Sequence, residues 1–143
     1  MKIKTILTAF GVLALLSLAA CQSDDSKPLE AKDLLHHNFV LVSIDDKPFS
    51  GDKAPSIEFN ENFHVSGAIC NRYVGKGELQ NNTLTVPNMA STKMICNDKV
   101  LDELEVSMGR MMVTGAKVTF KDNTLTLEDD KQKLTFVLKD AVN

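Results

Sequence analysis

Tryptophan is absent from the 143 residues and tyrosine occurs once, at Tyr73. That leaves too little aromatic surface for the stacking platforms that hold sugars or bases. No apolar run reaches the roughly 20 residues that span a bilayer as a helix. The longest, Ile6 to Ala20, has about 15. A basic excess is also missing. Without residues 1–20, which carry Lys2 and Lys4, the 16 basic residues fall to about 14 against 19 acidic ones, so the net charge is about −5. Phosphate neutralisation needs a basic face, so nucleic acid is excluded as a partner, and so is a basic patch held on anionic lipid. Catalytic signatures are lacking too: there is no G-x-S-x-G, H-E-x-x-H or P-loop. His36, His37 and His64 have no Cys, Ser or Glu at a recognisable spacing. The pairs Asp45-Asp46 and Asp129-Asp130 read as solvated turns, not as the carboxylate pair of a glycosidase.

What is present begins at the N-terminus. Lys2 and Lys4 precede the apolar run, which ends in Leu18-Ala19-Ala20-Cys21. A cationic start, a short apolar stretch and small residues make an export signal. The tetrapeptide resembles a bacterial lipobox, in which the cysteine thiol takes a diacylglyceryl group before cleavage. That resemblance implies a mature chain that begins at a lipidated Cys21. Two or three acyl chains, each contributing about 0.8 kcal/mol per buried CH₂, anchor stably. By resemblance to lipoproteins of enteric-type bacteria, Gln22 permits export to the outer membrane, with the domain facing the periplasm. Residues 22–28 are polar and read as a tether. The expected organisation is a signal peptide at 1–20, a lipidated cysteine and tether at 21–30, and one domain at 31–143.

With Cys21 consumed by lipid, Cys70 and Cys96 remain. In a compartment where disulfides persist, pairing them closes a loop of about 27 residues and stabilises by roughly 3.5 kcal/mol in the chain-entropy model. The alternatives are two buried thiols, or a Cys₂His₂ metal site drawing its histidines from His36, His37 and His64, although neither cysteine sits in a C-x₂₋₄-C pair. No metal or other cofactor is expected.

Most of the domain alternates with period two. Phe39 to Ile44 is apolar on both faces and predicts a buried strand. Ile57-Glu58-Phe59 and Phe63 to Ser66 flank an Asn60-Glu61-Asn62 turn, and Leu79 and Thr83 to Val86 flank Gln80-Asn81-Asn82. Val118 to Phe120, Thr124 to Leu127 and Leu134 to Leu138 follow, joined by the turns Lys121-Asp122-Asn123 and Glu128 to Lys133. A helix is predicted over about Asp98 to Met112, with Leu101, Leu104, Met108 and Met111 on one face and Asn97 or Asp98 as cap. Leu29 to Leu35 suggests one more helical turn. About seven strands with short connections and one amphipathic helix make a mainly β fold, a small antiparallel barrel or sandwich.

Two segments stand out: Gly67-Ala68-Ile69-Cys70-Asn71-Arg72-Tyr73 with Gly75 and Gly77, and Met89-Ala90-Ser91-Thr92-Lys93-Met94-Ile95-Cys96. Glycines so placed allow close backbone approach, Asn71 suits a turn, and Arg72 suits a carboxylate or phosphate. Together, Gly67, Cys70, Asn71, Arg72, Gly75, Met89, Ala90, Thr92, Met94 and Cys96 resemble the paired motifs of the META-domain family, and the likeness extends over about residues 33–143. The resemblance implies a small barrel-like antiparallel fold with one helix, and a cell-envelope role in heat stress and novobiocin tolerance, with no established catalytic mechanism. If the bridge forms, Asn71, Arg72, Thr92, Lys93 and Met94 share one surface, the candidate binding site for a peptide, a protein or a hydrophobic small molecule. The alternative is that the same residues merely shape a barrel corner, with Asn71 holding a turn. Two other classes remain: an enzyme of unrecognised type, and a metal-handling protein that uses methionine and histidine. Met108 and Met111 read as core, whereas Met89 and Met94 are open to a softer, adaptable surface.

Overall fold

The computed structural model describes residues 27–141, with side chains through residue 139. The signal segment, Cys21 and Gln22 lie outside the described residues. The elements run α1 (Ala31–Leu34), β1 (His37–Ile44), β2 (Lys47–Pro48), β3 (Ser56–Phe59), a 3₁₀ turn (Glu61–Phe63), β4 (His64–Ala68), β5 (Arg72–Lys76), β6 (Glu78–Gln80), β7 (Thr83–Thr85), β8 (Ala90–Ser91), α2 (Lys99–Thr114), β9 (Ala116–Lys121), β10 (Thr124–Glu128) and β11 (Lys133–Ala141).

All the strands described join one antiparallel sheet in the order β6-β7-β9-β10-β11-β1-β3-β4-β5-β8, with β2 paired to β1. The sheet curls into a half-barrel with α2 as its one long helix, which is the mainly β, barrel-like fold expected from the sequence. Three hairpins turn on two residues, both in the left-handed region: Asp45-Asp46, Asn81-Asn82 and Asp122-Asn123. Asp and Asn tolerate positive φ, and turns of this kind match the strand twist.

The inner face is apolar and filled by Phe39, Phe59, Phe136, Leu125, Leu127 and Ile57, each fully buried. Phe39 meets Phe59 and Phe120 edge-on, with ring centroids at 6.1 and 5.4 Å. β1 departs from its expected form. Phe39 and Leu41 point inward, but Val42 is exposed, so one face of β1 is core and the other is surface. A curled single sheet has only one interior, so an apolar outer face does not imply a second layer.

α2 covers the open side of the half-barrel. Asp98 caps it, its carboxylate accepting from the backbone N–H of Val100 at 2.9 Å and of Leu101 at 3.2 Å. Leu104, Met108, Met111 and Met112 are buried against the sheet. At its far end the Met112 carbonyl accepts from Val86 N–H at 2.7 Å, which ties the helix to the strand after β7. The folded region begins ahead of residue 31. Leu29 packs against the core, and its N–H donates to Asn82 Oδ1 at 2.7 Å. Leu29, inside the stretch expected as tether, is therefore docked on the domain, whereas Lys27 and Pro28 are exposed.

Candidate binding site

The site is built around the turn between β4 and β5. Ile69 is driven into the core, and its N–H donates to the Asn71 carbonyl at 3.0 Å, which tightens the turn. This leaves Cys70 beside the strand ends and sends the Asn71 side chain inward, 6 % exposed. Cys70 is joined to Cys96 in a disulfide, with Cα atoms 6.0 Å apart, within the span such a bridge needs.

Asn71 then organises the irregular stretch ahead of α2. Its Oδ1 accepts from Met94 N–H at 2.7 Å and from the Thr92 hydroxyl at 2.9 Å, and its Nδ2 donates to the Met94 carbonyl at 3.1 Å. The Thr92 hydroxyl also accepts from Arg72 N–H at 3.1 Å, and Thr92 N–H donates to the Arg72 carbonyl at 3.0 Å. One amide thus satisfies both backbone groups of Met94. Asn71 N–H in turn donates to Glu105 Oε2 on α2 at 3.2 Å. Bridge and amide together pin residues 92–96 to β5 and leave the side chains of Lys93, Met94 and Ile95 outward.

The expected surface divides accordingly. Asn71 and Thr92 are spent on holding the corner. Lys93 and Met94 line a groove of about 450 Å³ between α2 and the β8 segment. Arg72 sits apart, exposed, and lines a second cavity of about 630 Å³ with Ser56, Glu58, Ser66 and Val74 on the sheet. Nor do the motif glycines leave room for a partner. A Cβ at Gly67 would lie 2.1 Å from the Ser56 carbonyl oxygen and 2.5 Å from the Tyr73 hydroxyl, and those at Gly75 and Gly77 would strike Val86 and Val65. The close approach they permit is within the chain.

The groove adds to the motif residue Met89 a set from α2, outside the paired motifs: Asp102, Glu105, Val106, Gly109 and Val113. Its rim is apolar and open to water. Met94 is 69 % exposed, Val106 73 % and Val113 48 %, and the adjoining Ile95 is 89 % exposed. Gly109 lies mid-helix, where it costs up to about 1 kcal/mol against alanine. Nothing in the chain requires it, since a Cβ there would meet only the tip of Met89 at 3.7 Å. The signal for this face was the pair Val106 and Val113, valines seven residues apart and off the buried stripe of α2.

The polar groups around the groove are largely committed. Arg110 pairs with Asp129 at 2.7 Å. Burial alone would raise the Asp129 carboxyl, but the N–H groups of Lys131 and Gln132 and the Arg110 guanidinium hold it below the usual range. The Tyr73 hydroxyl donates to the Ser56 carbonyl at 2.9 Å, and burial pushes its ionisation above the ordinary phenol value. Among the described residues, methionine and histidine occupy different places. His36 and His64 are exposed, His37 meets Phe39 edge-on and Phe120 at a tilt, and Met108, Met111 and Met112 are core. Among the described residues, the one cluster with metal-ligand geometry is Cys70, Cys96 and Glu105.

Comparison with known proteins agrees with this architecture. The chain is 42 % identical over 136 residues to the heat shock protein HslJ of Escherichia coli, covering 94 % of this chain and 96 % of that protein. A structure solved by NMR matches with a TM-score of 0.73 at 41 % identity, over 78 % of this chain and 97 % of the other. A second NMR structure, of a protein from Burkholderia xenovorans, matches at 17 % identity with a TM-score of 0.60, over 96 % and 99 % of the two chains, and shares the fold. The model of the META domain matches residues 32–141, the span that holds the whole sheet, α2 and the pinned corner, and the chain belongs to the META domain family.

Proposed function

We propose that this protein is a lipid-anchored, non-catalytic binding module of the bacterial envelope, acting under heat stress and in novobiocin tolerance. Cys21 holds it at the outer membrane, and the groove between α2 and residues 89–96 takes an apolar stretch of polypeptide. The heat-shock role draws on the likeness to HslJ; the anchor draws on Leu18-Ala19-Ala20-Cys21.

One observation carries the binding reading: large apolar side chains stand open to water around a groove, on a backbone held rigid beneath them. Met94, Val106 and Val113 cluster there with Gly109 at the floor, and such an apolar concavity is a usual place for a partner. Methionine suits varied apolar partners because its unbranched side chain adapts. Asp102 and Glu105 line the groove with Lys93 and the Asp129-paired Arg110, and the two carboxylates favour a stretch flanked by lysine or arginine. Tyr73 and Arg110, already bonded within the chain, offer no free acid or base to a reaction.

The test is a titration of the isotopically labelled protein with short Leu-rich peptides bearing one terminal lysine. Amide shifts should concentrate at Met94, Val106, Gly109 and Val113, and Val106→Asp should abolish them while leaving the melting temperature intact. In a deletion strain the same variant should fail to restore growth under heat or novobiocin, whereas Arg72→Ala should restore it. Shifts scattered over the sheet, or full complementation by Val106→Asp, refute the reading.

A further inference from the structure

We propose that, once its disulfide is reduced, the chain holds one thiophilic divalent cation of the zinc class between Cys70, Cys96 and Glu105. The three ligands come from the β4–β5 turn, the stretch ahead of α2, and α2 itself. Their donor atoms all lie within 4.8 Å of one another. Glu105 Oε2 is 3.4 Å from Cys96 Sγ. A tetrahedral zinc ion, with bonds of about 2.3 Å to sulfur and about 2.0 Å to oxygen, sets those two ligands about 3.5 Å apart. That pair already stands at coordination distance. Two thiolates on one zinc are separated by about 3.8 Å on the same geometry. With the Cα atoms 6.0 Å apart, rotation of the two cysteine side chains reaches that spacing without moving the backbone.

The position of Glu105 supports the assignment. Its half-buried carboxylate accepts one hydrogen bond, from Asn71 N–H, and is in no ion pair found among the described residues. It faces a disulfide, which has no proton to give. Beside two thiolates it would complete a cluster of three negative charges, which a divalent cation neutralises and which its absence leaves repulsive. The surrounding groups are those that orient metal ligands. Asn71 N–H holds the carboxylate, and Asn71 Nδ2 lies 3.9 Å from Cys96 Sγ. The cysteines are half-buried, so a fourth position is open to water.

The chemistry balances with a dithiol as reductant. It gives two electrons and two protons to the Cys70–Cys96 bond, and its own two sulfurs become a disulfide. The cation then displaces both thiol protons as it binds. Bridge and metal exclude one another. The site shares Glu105 with the groove, but the inference does not depend on a ligand there.

The experiment uses the full chain carrying Cys21→Ser, so that two thiols remain. After reduction with a phosphine under nitrogen, cadmium(II) is titrated while the ultraviolet thiolate-to-metal absorption is followed; zinc(II) is then measured by competition with a chelating dye. We expect one cadmium per chain, no absorption in the oxidised protein, and an unchanged far-ultraviolet spectrum. Glu105→Gln should weaken binding at least tenfold, whereas Glu103→Gln, on the exposed side of α2, should not. Equal affinity in Glu105→Gln overturns the site, as does binding that appears only when the reduced chain unfolds, or no absorption at all.

Discussion

Replacing Asn71 with alanine tests whether one amide holds the corner. The substitution removes three hydrogen bonds, to Met94 N–H, the Met94 carbonyl and the Thr92 hydroxyl. Each contributes about 1 kcal/mol net. Met94 lies on an exposed stretch, so its freed backbone groups regain water and add no penalty for burial without a partner. The disulfide still tethers residue 96, which limits how far the released segment spreads and so limits any further effect. The expected loss is therefore about 2–3 kcal/mol. For a domain of this size, about 4 °C per kcal/mol makes that a fall of roughly 8–12 °C in the melting temperature, read by circular dichroism under non-reducing conditions. Thr92→Val should lose about 1 kcal/mol alone and much less in the Asn71→Ala background, because the two share a bond. Arg72→Ala, whose side chain is exposed, should change stability by no more than about 0.5 kcal/mol. A drop under 3 °C for Asn71→Ala, or strict additivity with Thr92→Val, would refute the clamp.

Gly109→Ala should raise stability by about 0.5–1 kcal/mol in urea unfolding, since the new methyl finds open space beside Met89, yet weaken peptide binding in the titration above by filling the groove floor. Gly67→Ala should do the opposite and cost about 3 kcal/mol or more, because its Cβ would meet the Ser56 carbonyl and the Tyr73 hydroxyl inside contact distance; a variant that melts within 2 °C of the parent would contradict the packing. Asp129 predicts an acid limb. Its folded carboxyl titrates below the usual 3.8, so the stability it contributes is present above that value and is lost as pH falls through the lower folded one. Asp129→Asn should flatten the fall in melting temperature below about pH 4, and an unchanged profile would show that the Arg110 pair and the loop N–H groups do not stabilise the ionised form.

Much of the sheet is legible in the sequence because its signals are local. Asp45-Asp46, Asn81-Asn82 and Asp122-Asn123 mark two-residue turns, and the alternation on either side sets register. β5 is harder to see. Arg72 to Lys76 alternates exposed and buried, but Gly75 takes an inward position without an apolar side chain, so the stretch reads as a glycine-rich loop. β8 is two residues long and exists only because Thr92, Asn71 and the bridge hold it against β5. The neighbourhood of Cys70, Asn71, Thr92 and Cys96 follows from one disulfide. The groove is hinted at only by Val106 and Val113 off the buried stripe of α2; its other wall depends on how the half-barrel closes, which no spacing in the helix records.

The middle of the sheet is the pairing of β1 with β11, in which His37 lies opposite Ala141 and Ile44 opposite Leu134. The first long strand of the domain thus waits for the last. A chain delivered N-terminus first, by a ribosome or through a membrane pore, has no partner for that side of β1 until its final residues emerge, and β10 and β3 cannot join through the centre before then. Pairing so distant in sequence makes for slow folding, on the scale of milliseconds to seconds. The topology puts the closing of the sheet late: β1 stays open on that side, and the two halves stay unjoined, until β11 is available.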